Sequence, residues 1–368
     1  VDVVPVVGAK DLARFILLPH DIYRDDPNWV APLTSDERTR LTPGKNPYFD
    51  HAEAAYFLAR RNGSDLGRIA ATIDRNHDGF HGERQVAFGF FEARSPEAAR
   101  ALLTAAEGWG RERGAQVIRG PMNFTTNDDC GLLVRGFEEP PTILMPYNPP
   151  AYGAWVEEAG LRKVKDLFAF KVPIPETPAE QIARIAAKVR DRFRVRVRPI
   201  DMKHFDEELG RVKQIYNSAW DRNWGFVPMT DSEIDHMAKQ LKPAIVPELT
   251  LFAEIDGEAV GFSLTLPDVN VALKPLRGRL FPLGIVRLLL TLPKIRTLRL
   301  MALGVKAGFR RRGIDAALVH QTSLITRARG YSWCEVGWTL EDNDLINRLI
   351  GVVGGQHYKT YRIYERSL

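Results

Sequence analysis

Glu335 stands in the middle of an apolar, aromatic run, Trp333-Cys334-Glu335-Val336-Gly337-Trp338, where a carboxylate is costly unless it is used or paired. Two roles fit it. It is a general base, its pKa raised by apolar surroundings, or one half of a structural pair with a nearby Arg. At the end of the same run, Glu341 and Asp342 can bind an amine or relay a proton through water. An acidic first turn of a helix suits Asp342 better. Tyr358, Tyr361 and His357 near the C-terminus are acid candidates, with a core or rim aromatic as the plainer reading of each. Upstream, Lys306-Ala307-Gly308-Phe309-Arg310-Arg311-Arg312-Gly313-Ile314 joins a strand pattern to a helix pattern. Such a turn aims free backbone N–H groups at one spot, and the helix dipole adds to their pull on an anion. Glycine permits close approach, while Lys306, Arg310, Arg311 and Arg312 supply charge. The segment is a phosphate cradle or a solvated basic turn. Asp315 is expected to face outward and cap the helix start.

A further group of candidates lies in 216–233, where Trp220, Trp224 and Phe226 are many large aromatics for a loop. They suit acceptor recognition, with some of them destined for the core. Thr230-Asp231-Ser232-Glu233 reads as a capping box opening the next helix. The polar stretch from Gly120 to Asp129 reads as an Asx-rich turn, or as a wall reaching toward an interdomain cleft.

The elements that must position these residues occur twice. Residues 56–74 read as a hairpin around Asn62-Gly63, and 250–268 read the same way around Asp256-Gly257. Each hairpin is followed by a strand, a loop and a helix closing on glycine: 86–91, 92–95 and 96–113 in one half, 297–305, 306–313 and 314–329 in the other. Another strand follows (116–120; 331–338), then an Asn-led helix (148–159; 343–353) and a terminal strand (164–172; 357–365). Prolines 173, 175 and 178 mark a connection between the halves. The expected organisation is a first domain over 1–175, a linker over 176–190 and a second domain over 191–368 with an insertion at 269–300. Hairpin strands followed by strand–helix–strand predict an α/β chain with a mixed sheet and helices on both faces.

That order resembles the GCN5-related N-acetyltransferase (GNAT) fold, and the resemblance covers both halves. It implies two tandem GNAT-like domains, each a mixed, mostly antiparallel twisted sheet with helices on both faces. The family's Gln/Arg-x-x-Gly-x-Gly/Ala loop stands here as Arg310-Arg311-Arg312-Gly313-Ile314-Asp315, with Asp315 in the last small-residue site. Its Asn-x-x-Ala-x-x-Leu-Tyr segment is similar to 343–350, with Ile350 where the family has its Tyr, often the general acid. The resemblance implies an acyl-coenzyme A co-substrate bound by Leu303, Gly304, Val305, Arg310, Arg311, Arg312, Gly313, Ile314 and Asn343, and no metal. Amides along 302–305 would face the tetrahedral oxyanion if strands 297–305 and 331–338 splay apart. Glu335, Glu341 and Tyr358 are the catalytic candidates, and Trp220, Trp224 and Phe226 the acceptor-binding ones. In the first half the matching loop, Glu92-Ala93-Arg94-Ser95-Pro96-Glu97, has no glycine and carries acid where a phosphate would sit. Ser95-Pro96 is a good helix start, so this half is expected to be scaffold and pocket wall.

From 269 to 314 there is no acidic residue but eleven Lys or Arg. Within that stretch 282–293 can form a short helix with Gly284, Arg287, Thr291 and Lys294 along one stripe and Leu, Ile and Val around the rest. It is too short to span a bilayer and suits an interfacial position, the wall of a greasy tunnel, or packing on the neighbouring domain. The insertion, with the segments 338–343 and 358–364, resembles the branch of the superfamily that contains bacterial ceramide synthases. That implies long-chain acyl transfer from acyl-CoA to a sphingoid-type lipid amine, and the basic charge of the insertion suits an anionic membrane surface. Acetyl transfer to a small amine or protein lysine, and CoA binding without chemistry, remain the alternatives.

Bulk properties narrow the field. With 368 residues, 45% hydrophobic and 26% charged, the chain suits two globular domains. A net charge of +5 favours anionic partners. Nucleic acid is disfavoured because the basic stretch is interleaved with Leu rather than with stacking aromatics. Cys130 and Cys334 form no CxxC, so neither a zinc site nor a disulfide framework is expected. The first residues lack the basic and apolar regions of a secretory signal. A cytoplasmic protein, peripheral at the inner membrane face, is the expected setting.

Overall fold

The computed structural model describes residues 1–280 and 284–368. The chain forms two compact units. Unit 1 comprises Val1–Leu167, Asn270–Leu289 and Lys359–Leu368, and unit 2 comprises Phe168–Val269 and Leu290–Tyr358.

The first half of the chain contributes β1 (Asp2–Pro5), α1 (Gly8–Ile22), α2 (Thr34–Arg40), β2 (Ala52–Arg61), β3 (Ser64–Asp74), α3 (Arg75–His81), β4 (Gln85–Ala93), α4 (Pro96–Arg111), β5 (Val117–Gly120), β6 (Leu132–Arg135), α5 (Tyr152–Glu158) and β7 (Arg162–Pro173). Asn62 and Gly63, at φ 51° and 79°, turn β2 into β3. Positive φ at both central positions matches the twist of a two-residue hairpin. One face of the sheet packs Ile69, Val86 and Phe88 against Ala98, Leu102 and Ala106 of α4. The other packs Leu58, Ala70 and Phe90 against Phe15 and Ile16 of α1.

The second half contributes α6 (Glu180–Phe193), β8 (Arg196–Pro199), α7 (Phe205–Trp220), α8 (Asp231–Leu241), β9 (Thr250–Ile255), β10 (Glu258–Pro267), α9 (Asn270–Leu273), α10 (Gly284–Thr291), β11 (Thr297–Val305), α11 (Ile314–Ala328), β12 (Trp333–Leu340), α12 (Asp344–Val352) and β13 (Gln356–Ser367). Asp256-Gly257 closes β9 on β10 with the same pair of positive φ values, 49° and 85°. In unit 2 the strand order is β12-β11-β10-β9-β8, all antiparallel but for β11–β12. α6 and α11 cover one face of this sheet and α7 the other. The tandem α/β fold with mostly antiparallel sheets and helices on both faces is therefore the one the sequence indicates.

Three features differ from the expected layout. Residues 180–190, expected within a linker, form most of α6, whose Ile182, Ala186 and Val189 are buried at helical spacing. The terminal strand was expected to close the second half, but from residue 359 β13 belongs to unit 1, where Tyr364 pairs with Gly120 and Ser367 with Val117. Residues 270–289, expected as an insertion in the second domain, pack in unit 1. There the Thr34 N–H donates to Gly278 O at 3.2 Å and Asn270 Nδ2 donates to Pro141 O at 2.9 Å. A Cβ on Gly278, at φ 78°, would lie 2.7 Å from Pro32 O, so this turn demands glycine. Of the helix expected over 282–293, Pro282 and Leu283 lie outside the described residues. The remainder, α10, leaves Ile285, Val286, Leu289 and Leu290 exposed. Among the described residues no helix is long and apolar enough to cross a membrane.

Candidate active site

In unit 2 the parallel pairing of β11 with β12 runs from Thr297↔Trp333 to Leu300↔Val336. Beyond that point β11 continues along β10 as far as Val305, while Gly337 of β12 packs against Ala169 of β7. The strands part there. Just past the parting, the β10 register shifts between Leu264 and Thr265, which face Ala302 and Leu300 and leave Met301 as a bulge. Alternate backbone groups of β11 point away from β10, so some of those along 301–305 face the opened wedge.

Unit 1 carries the same device with its wedge filled. β4 pairs with β5 from Gln85↔Val117 to Ala87↔Arg119, matching Thr297↔Trp333 to Arg299↔Glu335 position for position. Past that point the loop after β5 takes up the freed groups. The Met122 N–H donates to Phe88 O at 2.7 Å, and Asn123 Oδ1 accepts from the Phe90 N–H at 2.6 Å. A Cβ on Gly89 would lie 1.9 Å from Met122 O. The polar loop read as an Asx-rich turn makes a Thr-based turn instead, with Asn127 N–H on Thr125 Oγ1, and it plugs this wedge. By the shared register, Phe88 corresponds to Leu300 in unit 2.

The buried carboxylate lies at the mouth of the unit 2 wedge. Glu335 is fully buried and faces Arg299, its register partner on β11. Arg299 Nε is 3.7 Å from Glu335 Oε1, and an Arg299 Nη2–H reaches Gly337 O at 3.2 Å. The Tyr358 hydroxyl donates to Glu335 Oε2. Glu335 and Tyr358, chosen separately from sequence, are thus in direct contact. The Arg partner foreseen as the alternative role is present as well. From sequence Arg299 counts only among the basic residues of the 269–314 stretch suited to an anionic surface; in the structure it is instead buried against Glu335, its register partner. Trp333 packs edge-on to Tyr358, and Lys171 Nζ lies 4.8 Å over the Trp333 ring. Neighbouring Cys334 is buried, which pushes its thiol up to about 12 and removes it as a nucleophile near neutral pH.

The phosphate-cradle segment leads directly into α11. Gly313, at φ 78°, is the N-cap of α11 without any side-chain cap, so the first N–H groups of the helix lack an intrahelical partner. Asp315 does not cap the helix as expected; it sits in the first turn, after Gly313. Arg310 is drawn to α7, donating to the carbonyls of Ser218 and Ala219 and to Asp221 at 2.7 Å. Lys306 pairs with Glu258 at 2.7 Å. Arg312 lies over the Phe193 and Phe309 rings, and Arg311 is exposed in the left-handed region at φ 62°. Ile314 is buried beneath the loop, and Leu303 and Val305 pack on the α6–α11 side. Gly304 faces Trp220, whose ring a Cβ there would meet at 2.5 Å.

Other candidates are structural in their visible contacts. Trp220 packs on Tyr216 and Phe262, Phe226 is buried, and Trp224 is half-buried after α7. Thr230 and Glu233 form the expected capping box. Asn343 caps α12 by accepting from the Ile346 N–H at 3.4 Å. Glu341 lies in the preceding turn, its carbonyl accepting from Asn347 at 3.5 Å. Ile350, in place of the family's Tyr, is buried with Phe170 and Val172. His357 packs on Phe168 and Phe170, and Tyr361 is buried in unit 1. In the first-half loop, Ser95 caps α4 and Pro96 opens it, as the sequence indicates. Glu97 is taken by Arg61. Glu92 is buried, accepting from the Tyr23 and Tyr152 hydroxyls at 2.8 and 2.9 Å, with Arg68 at 3.9 Å. Burial drives its carboxyl up to about 7, against the pull of Arg68 and the two tyrosines.

No protein-family model matches the chain. It is 40% identical over 378 residues to the bacterial ceramide synthase of Caulobacter vibrioides (strain NA1000 / CB15N), covering 100% of this chain and 97% of that protein. It is 36% identical over 372 residues to protein YghO of Escherichia coli (strain K12), covering 98% and 94%. Among solved structures, a tandem GNAT protein from the clavulanic acid biosynthesis pathway superposes with TM-score 0.57 at 12% identity, covering 100% and 98% of the two chains. A GCN5-related N-acetyltransferase from Sphaerobacter thermophilus gives TM-score 0.54 at 16% identity, covering 99% and 95%.

Proposed function

Since the chain belongs to the bacterial ceramide synthase family and is an N-acyltransferase, we propose that its second unit transfers a long acyl chain from acyl-coenzyme A to a lipid amine of sphingoid type. An acyl-CoA donor and an amine acceptor are common ground for such an enzyme. The observation that carries the assignment of the chemistry to unit 2 is the parted β11–β12 wedge with Glu335 and Tyr358 in contact at its mouth. Unit 1 has the same strands with the wedge closed by Asn123, and no glycine stands between β4 and α4, where Ser95 caps the helix start, which supports a scaffold role.

In this reading the unpartnered N–H groups at the start of α11, after Gly313, receive the pyrophosphate, and the thioester carbonyl lies against the backbone of β11 beyond Leu300. Glu335 takes a proton from the attacking amine, directly or through a water. Tyr358 gives its proton to the departing thiolate and recovers one from Glu335, so the net transfer is from amine to thiol. Arg299 holds the Glu335 carboxylate in place.

For the lipid acceptor and the long chain, support comes from the ceramide synthase relative and from the 269–314 segment. α10 exposes Ile285, Val286, Leu289 and Leu290, and Arg277, Arg279, Arg287, Lys294 and Arg296 near it in sequence are exposed, whereas Arg299 is buried on Glu335 and Lys306 and Arg310 are paired with Glu258 and Asp221. Each basic residue near an anionic leaflet contributes about 1 kcal/mol, and a long acyl chain adds ~0.8 kcal/mol per buried CH₂. A peripheral position on such a leaflet would bring the enzyme to both substrates. The test is thiol release with acetyl-, octanoyl- and palmitoyl-CoA, with and without sphinganine. Palmitoyl transfer dependent on sphinganine is the expected result; acetyl-CoA preferred, with a small amine sufficient, contradicts the lipid reading.

A further inference from the structure

Helix α6 packs its Val189 and Ile185 onto the loop that opens α11, so that a Cβ on Gly313 would meet their methyl groups at 2.9 and 3.0 Å. One turn beyond Val189, Phe193 carries two cations: the guanidinium carbons of Arg192 and Arg312 lie 5.2 and 5.7 Å from its ring centre. Arg312 is also 4.9 Å from the Phe309 ring and donates to Gly308 O at 3.1 Å. Among the described residues neither arginine makes an ion pair, although exposed Asp191 adjoins Arg192 in the helix. Both guanidiniums keep their charge on the same aromatic ring, so an anion that reaches both gains from two cations. Lys306 and Arg310, by contrast, are already spent on Glu258 and Asp221. Among the described residues Arg311 is exposed and points to no partner in the loop, while Arg192 and Arg312 share the Phe193 ring beside the helix start that receives a pyrophosphate in the reading above.

Resting on that reading, we propose that Arg192 of α6 and Arg312 form a clamp for the 3′-phosphate of the acyl-CoA donor. The N–H groups of α11 suit the diphosphate diester. The 3′-phosphate is the only phosphomonoester of coenzyme A and approaches two charges at neutral pH. Guanidinium forks match it better than backbone dipoles do. The clamp makes α6 part of donor selection: it favours coenzyme A over donors that end in a plain phosphopantetheine or a dephosphorylated nucleotide.

The test is calorimetric titration of the full chain with coenzyme A and with 3′-dephospho-coenzyme A, for the wild type and for Arg192→Gln/Arg312→Gln. Wild type should bind coenzyme A roughly 10- to 100-fold more tightly, as two charge-assisted contacts suggest. The double variant should bind the two compounds alike, with a melting temperature near that of wild type. Equal binding by the wild type, or discrimination kept by the double variant, overturns the clamp and leaves the α11 site standing. If wild type binds neither compound, the donor site falls and the clamp with it.

Discussion

The Tyr358 hydroxyl donates a hydrogen bond to the Glu335 carboxylate, tying the start of β13 to the middle of β12 beside Arg299. Ile350, which stands where the GNAT pattern carries a Tyr, is buried in the core, and in the proposed mechanism the thiolate takes its proton from Tyr358 instead. Tyr358→Phe keeps the ring against Trp333 and removes only the proton donor. Turnover should fall about 100-fold with the KM for acyl-CoA little changed, as loss of one acid–base partner does. Steady-state kinetics with palmitoyl-CoA checks it, and an unchanged kcat removes Tyr358 from the chemistry.

In unit 1 the plug should be structural. Asn123→Ala leaves the Phe90 N–H without its acceptor and should cost about 1–3 kcal/mol of stability in urea unfolding. The backbone of Met122 still fills the space over Gly89. Coenzyme A should therefore bind with one site per chain in both wild type and variant. Two sites in either would contradict the division of labour between the units.

Glu92 makes unit 1 sensitive to pH. Its carboxyl titrates near 7 when folded and at its ordinary 4.5 when unfolded, so the folded state holds the proton more tightly. Stability from this group is complete below pH 4.5 and is lost as pH rises through 7, on the order of 3 kcal/mol in all. Glu92→Gln keeps a partner for the Tyr23 and Tyr152 hydroxyls and does not ionise. Melting temperature should fall between pH 5 and pH 8 in the wild type and stay flatter in the variant; parallel curves would refute the assignment.

Much of this organisation is legible in the sequence, and what is not has a physical reason. Asn62-Gly63 and Asp256-Gly257 announce their hairpins because few other dipeptides adopt two positive φ values. Ser95-Pro96 and Thr230 to Glu233 announce helix starts because capping is local. The loop before α11 is visible through Gly313, yet the fate of its charges is not. Arg310 is turned toward Asp221, 89 residues upstream, by packing that no local pattern encodes. The same holds for β13, whose alternation specifies a strand but not that Tyr364 will pair with Gly120 of unit 1. Glu335 is conspicuous in the sequence because a charge in an aromatic strand is costly; that Arg299 is its partner follows from the parallel register of β11 and β12, which no local pattern encodes.

The central claim is that Glu335 takes the amine's proton in the wedge of unit 2. It is tested most directly by Glu335→Gln, which keeps the size and hydrogen-bonding capacity of the side chain while removing its basicity. Single-turnover acyl transfer and coenzyme A affinity would be measured on the same folded protein. Transfer should slow roughly 100- to 10,000-fold with the Kd for coenzyme A unchanged. Transfer near the wild-type rate would contradict the account and leave Glu335 as the structural partner of Arg299.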